Sequence, residues 1–174
     1  ERARSPGTSP TDEVIERAHR DGDVHAELRS RYLLASLQHE RGDLVKAKAA
    51  YHAGYTVARE SGRPWAPYGF EARLMEAHVA YQLGDWDDVM ELTAVGGQAP
   101  PPIPEATLLG VRAMCVVHRG DSSAEQVLDQ LRPLWPLDGL VGISGAAAEI
   151  DWYGGRGDVA GASAAFDRAV DVVG

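Results

Sequence analysis

The sequence predicts an all-α protein, a solenoid of about four helical hairpins. Three observations carry that reading. Apolar residues recur at steps of three and four along most of the chain. No stretch alternates apolar and polar residues with the period of two that a half-buried strand needs. The dipeptide Gly-Asp returns at Gly42, Gly84, Gly120 and Gly157, at spacings of 42, 36 and 37 residues, a period that stacked helical pairs produce.

The elements follow in order. Residues 1–11 hold Pro, Gly and Ser without apolar periodicity and read as a linker or frayed end. A short helix over about residues 12–20 leads into Asp21-Gly22-Asp23. The repeat domain is then expected over residues 12–174. Leu28, Tyr32, Ala35 precede Gly42, and Leu44, Ala47, Tyr51, Tyr55 and Ala58 follow it. Ala72, Met75, Val79 and Leu83 precede Gly84. Leu108, Val111 and Cys115 precede Gly120, and Ala162, Phe166 and Ala169 follow Gly157. Proline-rich segments at 62–69, 96–104 and 132–142 end one hairpin and begin the next.

Three of the connectors spell Arg-Gly-Asp: residues 41–43, 119–121 and 156–158. An adhesion signal needs an exposed flexible loop, whereas these copies end helices at a fold-determined place. A helix C-terminus often needs one left-handed residue, which Gly supplies. The next helix needs an N-cap acceptor, which Asp supplies at about 1 kcal/mol per cap. Arg in the last turn suits the negative end of the helix dipole.

Composition narrows function. The chain is 44% apolar and 25% charged, enough for a packed core. Its net charge of −9 provides no basic footprint for nucleic acid or anionic membrane surfaces. One cysteine, Cys115, excludes an internal disulfide and fits a reducing cytoplasm. No apolar run is long enough to span a bilayer. The start at Glu1 rather than Met leads us to expect a piece of a longer protein.

Around the first turn, Ala35, Ala47, Tyr51 and Gly54 stand seven before and five, nine and twelve after Gly42. This resembles the tetratricopeptide repeat, as do Ala162, Phe166 and Ala169 after Gly157. The resemblance implies a right-handed α-α superhelix, with the small residues allowing close helix approach and the aromatic filling the wedge to the next repeat. Hairpins two and three depart from it, because Val89, Thr93, Glu125 and Asp129 occupy the later positions. The phrase GRPWAPYGFEARLMEAHVAYQLGDWDD, with AMCVVHRGD after it, is similar to the helical-repeat region of large actinobacterial regulators of the LuxR type. That resemblance implies a sensor or interaction region flanked in its parent by an ATPase module and a DNA-binding domain. The chain contains neither the phosphate-binding G-x-x-x-x-G-K-[ST] nor a basic recognition helix.

Enzyme motifs fail on their own terms. His39-Glu40 would open H-E-x-x-H, but Asp43 stands where the second His belongs. Gly142-Ile143-Ser144-Gly145-Ala146 has no strand before it and ends on Ala. We expect no enzyme, no cofactor and no metal. The four tryptophans read as packing residues. The tetratricopeptide register implies a concave groove lined by first-helix residues. From it come the candidate ligand- or peptide-binding residues Arg29, Tyr32, Ser36, His39, Glu71, His78, Tyr81, Met114 and His118. Such a mixed, amphipathic lining suits a small-molecule effector or a protein segment.

Overall fold

The computed structural model describes residues 10–97 and 99–173. Among them the regular structure is entirely helical. It comprises α1 (Pro10–Asp21), α2 (Val24–Glu40), α3 (Leu44–Glu60), α4 (Pro67–Leu83), α5 (Trp86–Leu92), α6 (Pro102–Arg119), α7 (Ala124–Leu131), a 3-10 helix (Arg132–Leu137), α8 (Gly139–Gly154) and α9 (Val159–Val173). The expected linker falls, up to residue 9, outside the described residues. Pro10 and Thr11 already belong to α1, where proline's missing N–H costs nothing. The chain divides into two compact units, the first ending at Leu83 and the second starting at Gly84. In the first, α1, α2, α3 and α4 pack in sequence, and α2 also lies against α4. In the second, α5 packs on α6, α6 on α7 and α8, and α8 on α9.

The turn glycines behave as their sequence requires. Gly42, Gly84, Gly120 and Gly157 have φ of +76, +79, +67 and +73°. A Cβ built at any of them meets nothing within 4 Å, so conformation alone demands glycine. At three of these turns the next N–H closes a six-residue loop. Asp43 N–H donates to Gln38 O at 3.0 Å, Asp121 to Val116 O at 2.9 Å and Asp158 to Tyr153 O at 2.9 Å. These are Schellman closures, which satisfy carbonyls the ending helix would otherwise orphan.

The aspartates are less uniform than expected. Asp158 Oδ1 accepts from Gly161 N–H at 2.9 Å, and Asp23 caps α2 from Ala26 N–H at 3.0 Å. Asp43 and Asp85 sit at N-cap positions without a side-chain cap bond. Lys46 holds the Asp43 carboxylate instead, at 2.5 Å. Asp121 bonds the Ser123 N–H at 2.8 Å, and α7 starts only at Ala124.

In the first unit the small-residue pattern packs as predicted. Ala35 and Ala47 are fully buried and Tyr51 is 1% exposed, in one cluster with Ala72 and Val79. The Tyr51 hydroxyl lies 3.2 Å from Ser36 Oγ, so its burial leaves no orphaned O–H. A Cβ on Gly54 would touch that of Ala72 at 3.4 Å, and one on Gly69 would lie 2.5 Å from that of Ala58. These glycines set how closely α3 and α4 approach.

The second unit departs from the pattern at α7. Its buried residues are Ala124, Val127, Leu128 and Leu131, one position earlier than the repeat register. The Asp121–Ser123 turn displaces the helix start and leaves Glu125 and Asp129 facing water. A correction also applies at Phe166. It stands 58% exposed, while Ala165 is fully buried, so α9 packs through its alanine and Phe166 fills no wedge among the described residues. Trp135 is the aromatic at the core, with Gly145 lying flush against its indole.

Buried charge ties neighbouring helices. Glu149 on α8 accepts from Arg132 Nε at 2.6 Å and from Arg168 on α9. Glu76 on α4 lies 2.8 Å from His52 Nδ1 on α3. Arg112 on α6 donates to Met90 O at 3.3 Å and to Thr93 Oγ1 at 3.4 Å. Glu76, Arg112 and Glu149 each stand eight residues before their turn glycine, and each reaches the helical segment immediately before its own. Leu34, at the same place in hairpin one, lines a cavity with Ile15 of α1.

Two predictions follow from the turns and ties. Gly42→Ala lowers the unfolding free energy by about 1 kcal/mol, the cost of left-handed backbone, and Gly69→Ala by about 1–3 kcal/mol through overpacking; urea denaturation separates them, and a neutral Gly42→Ala contradicts the turn account. Glu149→Gln costs on the order of 2 kcal/mol, moderated because both guanidiniums can turn to water; an unchanged denaturation midpoint would show that the ion pairs contribute nothing net.

Candidate functional site

Along α2, His25, Tyr32 and His39 recur at steps of seven, two helical turns each, and so share one face. Tyr51 of α3 and Tyr68 of α4 interleave with them. Ring centroids run His25–Tyr68 at 5.5 Å, Tyr68–Tyr32 at 5.9 Å, Tyr32–Tyr51 at 5.7 Å and Tyr51–His39 at 6.3 Å, mostly tilted and the last edge-on. These are the spacings and tilts that ring quadrupoles favour. The result is an unbroken row of five rings.

Polar groups from α4 border the row. Burial pushes the Glu71 carboxyl above its ordinary range. Burial also raises the Tyr32 phenol, the negative Glu71 beside it adding to the effect and the Ser36 bond opposing it. His78 donates from Nδ1 to Leu74 O at 3.0 Å, which leaves Nε2 as the acceptor of a neutral ring. Burial lowers its pKa from the ordinary 6.5, and the neighbouring His39 lowers it further. His39 Nε2 lies 3.3 Å from Gln82 Oε1, linking the C-terminal turns of α2 and α4.

The structure thus brings together Tyr32, Ser36, His39, Glu71 and His78 on the α2/α4 face. Ser36 turns its hydroxyl back to Tyr32 O at 3.0 Å, so it braces the row and its O–H is already engaged. Tyr81 is half-buried on α4, and Arg29 is exposed on α2. Met114 and His118 belong to the second unit. There His118 donates from Nδ1 to Met114 O at 2.9 Å, and its Nε2 lies 3.2 Å from Asp151 Oδ2. Sequence reasoning passed over His25 and Tyr68 and assigned Tyr51 to the core alone. The seven-residue spacing of His25, Tyr32 and His39 was the available signal.

Other features with chemical potential settle into packing. Ser144 lies inside α8, donating to Leu140 O at 2.7 Å, with its hydroxyl against Gly110. Cys115 is buried, its thiol pKa raised by burial, with Sγ 3.7 Å from Trp86 O. A cavity of about 310 Å³ lies among α1, α2 and α3, beside Ile15, Arg31 and Leu34. Another of about 250 Å³ lies among α5, α6 and α7, beside Thr93, Leu109, Arg112 and Val127. No helix among the described residues is long and apolar enough to cross a membrane. Comparison of the chain with protein-family models, with curated proteins and with solved structures gave no match.

The half-buried imidazole of His78 makes acid sensitivity predictable. Between its lowered folded pKa and the ordinary 6.5, the unfolded chain binds more protons at His78 than the folded chain does. Stability therefore rises with pH across that window and is lost on acidification below 6.5. Melting temperatures followed from about pH 7.5 to about pH 5.5 fall on the acid side, and His78→Gln flattens that slope; an identical slope in the variant would contradict the assignment.

Proposed function

We propose that the chain is a binding module whose site is the face shared by α2 and α4. One observation carries the reading. A continuous row of aromatic rings is bordered by a half-buried carboxylate and a neutral imidazole with a free acceptor nitrogen. Rings supply contact area, and the few polar groups supply orientation, as in small-molecule and peptide sites. Turnover is not part of the proposal.

The wider setting rests on sequence resemblance. In it the chain forms a right-handed, tetratricopeptide-like superhelix and serves as the sensor or partner-binding region of a cytoplasmic LuxR-type regulator. Occupancy of the face would bias the array and, through it, flanking ATPase and DNA-binding domains. A second reading, a scaffold that holds a protein segment and no small molecule, is favoured by the length of the ring row. It is longer than one drug-sized ligand needs.

Thermal unfolding across a library of metabolites, sugars and nucleotides tests the module. A binder at a hundredfold excess over its Kd stabilises by about 2.7 kcal/mol. Tyr32→Ala, His78→Ala and Tyr81→Ala are each expected to weaken a bound ligand or partner at least tenfold; affinity unchanged in all three would remove the site. A flat screen together with a stoichiometric partner from native lysate would favour the scaffold.

A further inference from the structure

On the α2/α4 face, Glu71 is the carboxylate without a partner. Every other buried or half-buried carboxylate among the described residues has a partner. Glu27 holds Arg31 at 2.7 Å and His19 at 3.1 Å, Glu76 holds His52, and Glu149 holds two arginines. Asp43 holds Lys46 and Asp121 holds the Ser123 N–H; Asp12 and Glu13 are engaged as well. Glu71 is half-buried on α4 and makes no hydrogen bond or ion pair with any described residue. Arg29, a cation on α2, is exposed and does not pair with it.

A carboxylate partly withdrawn from water and left without a donor is costly, and a cationic guest removes that cost. The surroundings suit one. Tyr68 lies one helical turn before Glu71 on the same face of α4. Tyr32 is close enough for the Glu71 charge to act on its phenol. Two ring faces beside an acid attract a guanidinium or ammonium. The net charge of −9 steers cations toward the chain.

The row also fixes the form of the guest. His25 to His39 spans two heptads of α2, about 21 Å of helix, which matches about six residues of extended chain. Tyr51 is buried and backs Tyr32, so the guest meets Tyr68, Tyr32 and His39. We infer that the α2/α4 face selects an extended peptide segment carrying an arginine or lysine, whose cationic group docks on Glu71 while flanking residues lie along Tyr68 and Tyr32. This rests on the binding-module reading and adds the chemistry of the partner to it.

The test uses the whole chain and three fluorescent heptapeptide pools that are identical except for a central Arg, Gln or Glu. The flanks are mixed over Pro, Leu, Tyr and Ser. We expect the Arg pool to bind at least tenfold more tightly than the Gln pool, and the Glu pool more weakly still. Glu71→Gln, isosteric and checked by its melting temperature, should erase the Arg preference and leave the Gln pool within twofold. Tyr32→Leu should weaken the Arg and Gln pools together. Equal binding of the Arg and Gln pools to the native chain, or an Arg preference that survives Glu71→Gln, overturns the inference while leaving a binding module in place. No binding by any pool also overturns it, and the metabolite screen then judges the module separately.

Discussion

When α2 ends, its last carbonyls need donors, and the chain must reverse within three residues. The N–H of Asp43 reaching Gln38 O at 3.0 Å does both, because Gly42 at φ +76° turns the backbone into position. The same closure recurs at Asp121 and Asp158. Once α3 is folded back against α2, Ala35 and Ala47 are both fully buried and Tyr51 is carried toward Ser36. That contact holds the Tyr51 ring behind Tyr32. The ring row therefore depends on a backbone turn that meets it only at His39, whose carbonyl accepts from Gly42 N–H at 2.9 Å.

Around the row, burial and polarity oppose each other in a useful way. His78 remains uncharged because water is scarce around it, and Glu71 feels the same scarcity without a cation to relieve it. Tyr32 sits between, its phenol raised by burial and by Glu71. A network such as Glu149 with its two arginines, in which both carboxylate oxygens are engaged, rigidifies a core and leaves that acid nothing to offer a guest. The α2/α4 face differs by keeping hydrogen-bonding and charge capacity unspent at a place where the rings already exclude part of the solvent.

Much of this was legible in the residues. Steps of three and four fixed the helices, and the returning Gly-Asp located the turns at Gly42, Gly84, Gly120 and Gly157, since left-handed backbone leaves few alternatives to glycine. Ala35, Ala47, Tyr51 and Gly54 were readable because size alone decides what fits there. The slip at α7 was hidden in a local competition: Asp121 bonds Ser123 N–H and the helix starts at Ala124, two residues later after its glycine than α3, α5 and α9 do, an outcome that spacing measured from Gly120 cannot register. Phe166 was misjudged because an aromatic at a repeat position is buried only when another helix lies over it. In the site, Tyr32, His39, Glu71 and His78 were found from register, whereas His25 and Tyr68 were missed because they precede the positions that the register marks. The isolation of Glu71 is a property of what fails to reach it, and no sequence pattern encodes that.

The ties made eight residues before Gly84, Gly120 and Gly157 have an evolutionary consequence. His52 answers Glu76, the α5 carbonyl and Thr93 answer Arg112, and Arg132 answers Glu149. Each lock is different, so each hairpin is keyed to its predecessor by charge and geometry. A duplicated or transplanted hairpin would arrive with the wrong key, burying an acid against a segment that offers no base. Lengthening such an array by copying single repeats is thus penalised, while copying a hairpin together with the one before it carries one matched lock along. Chains of this kind should diversify by drift within fixed repeats more readily than by shuffling them.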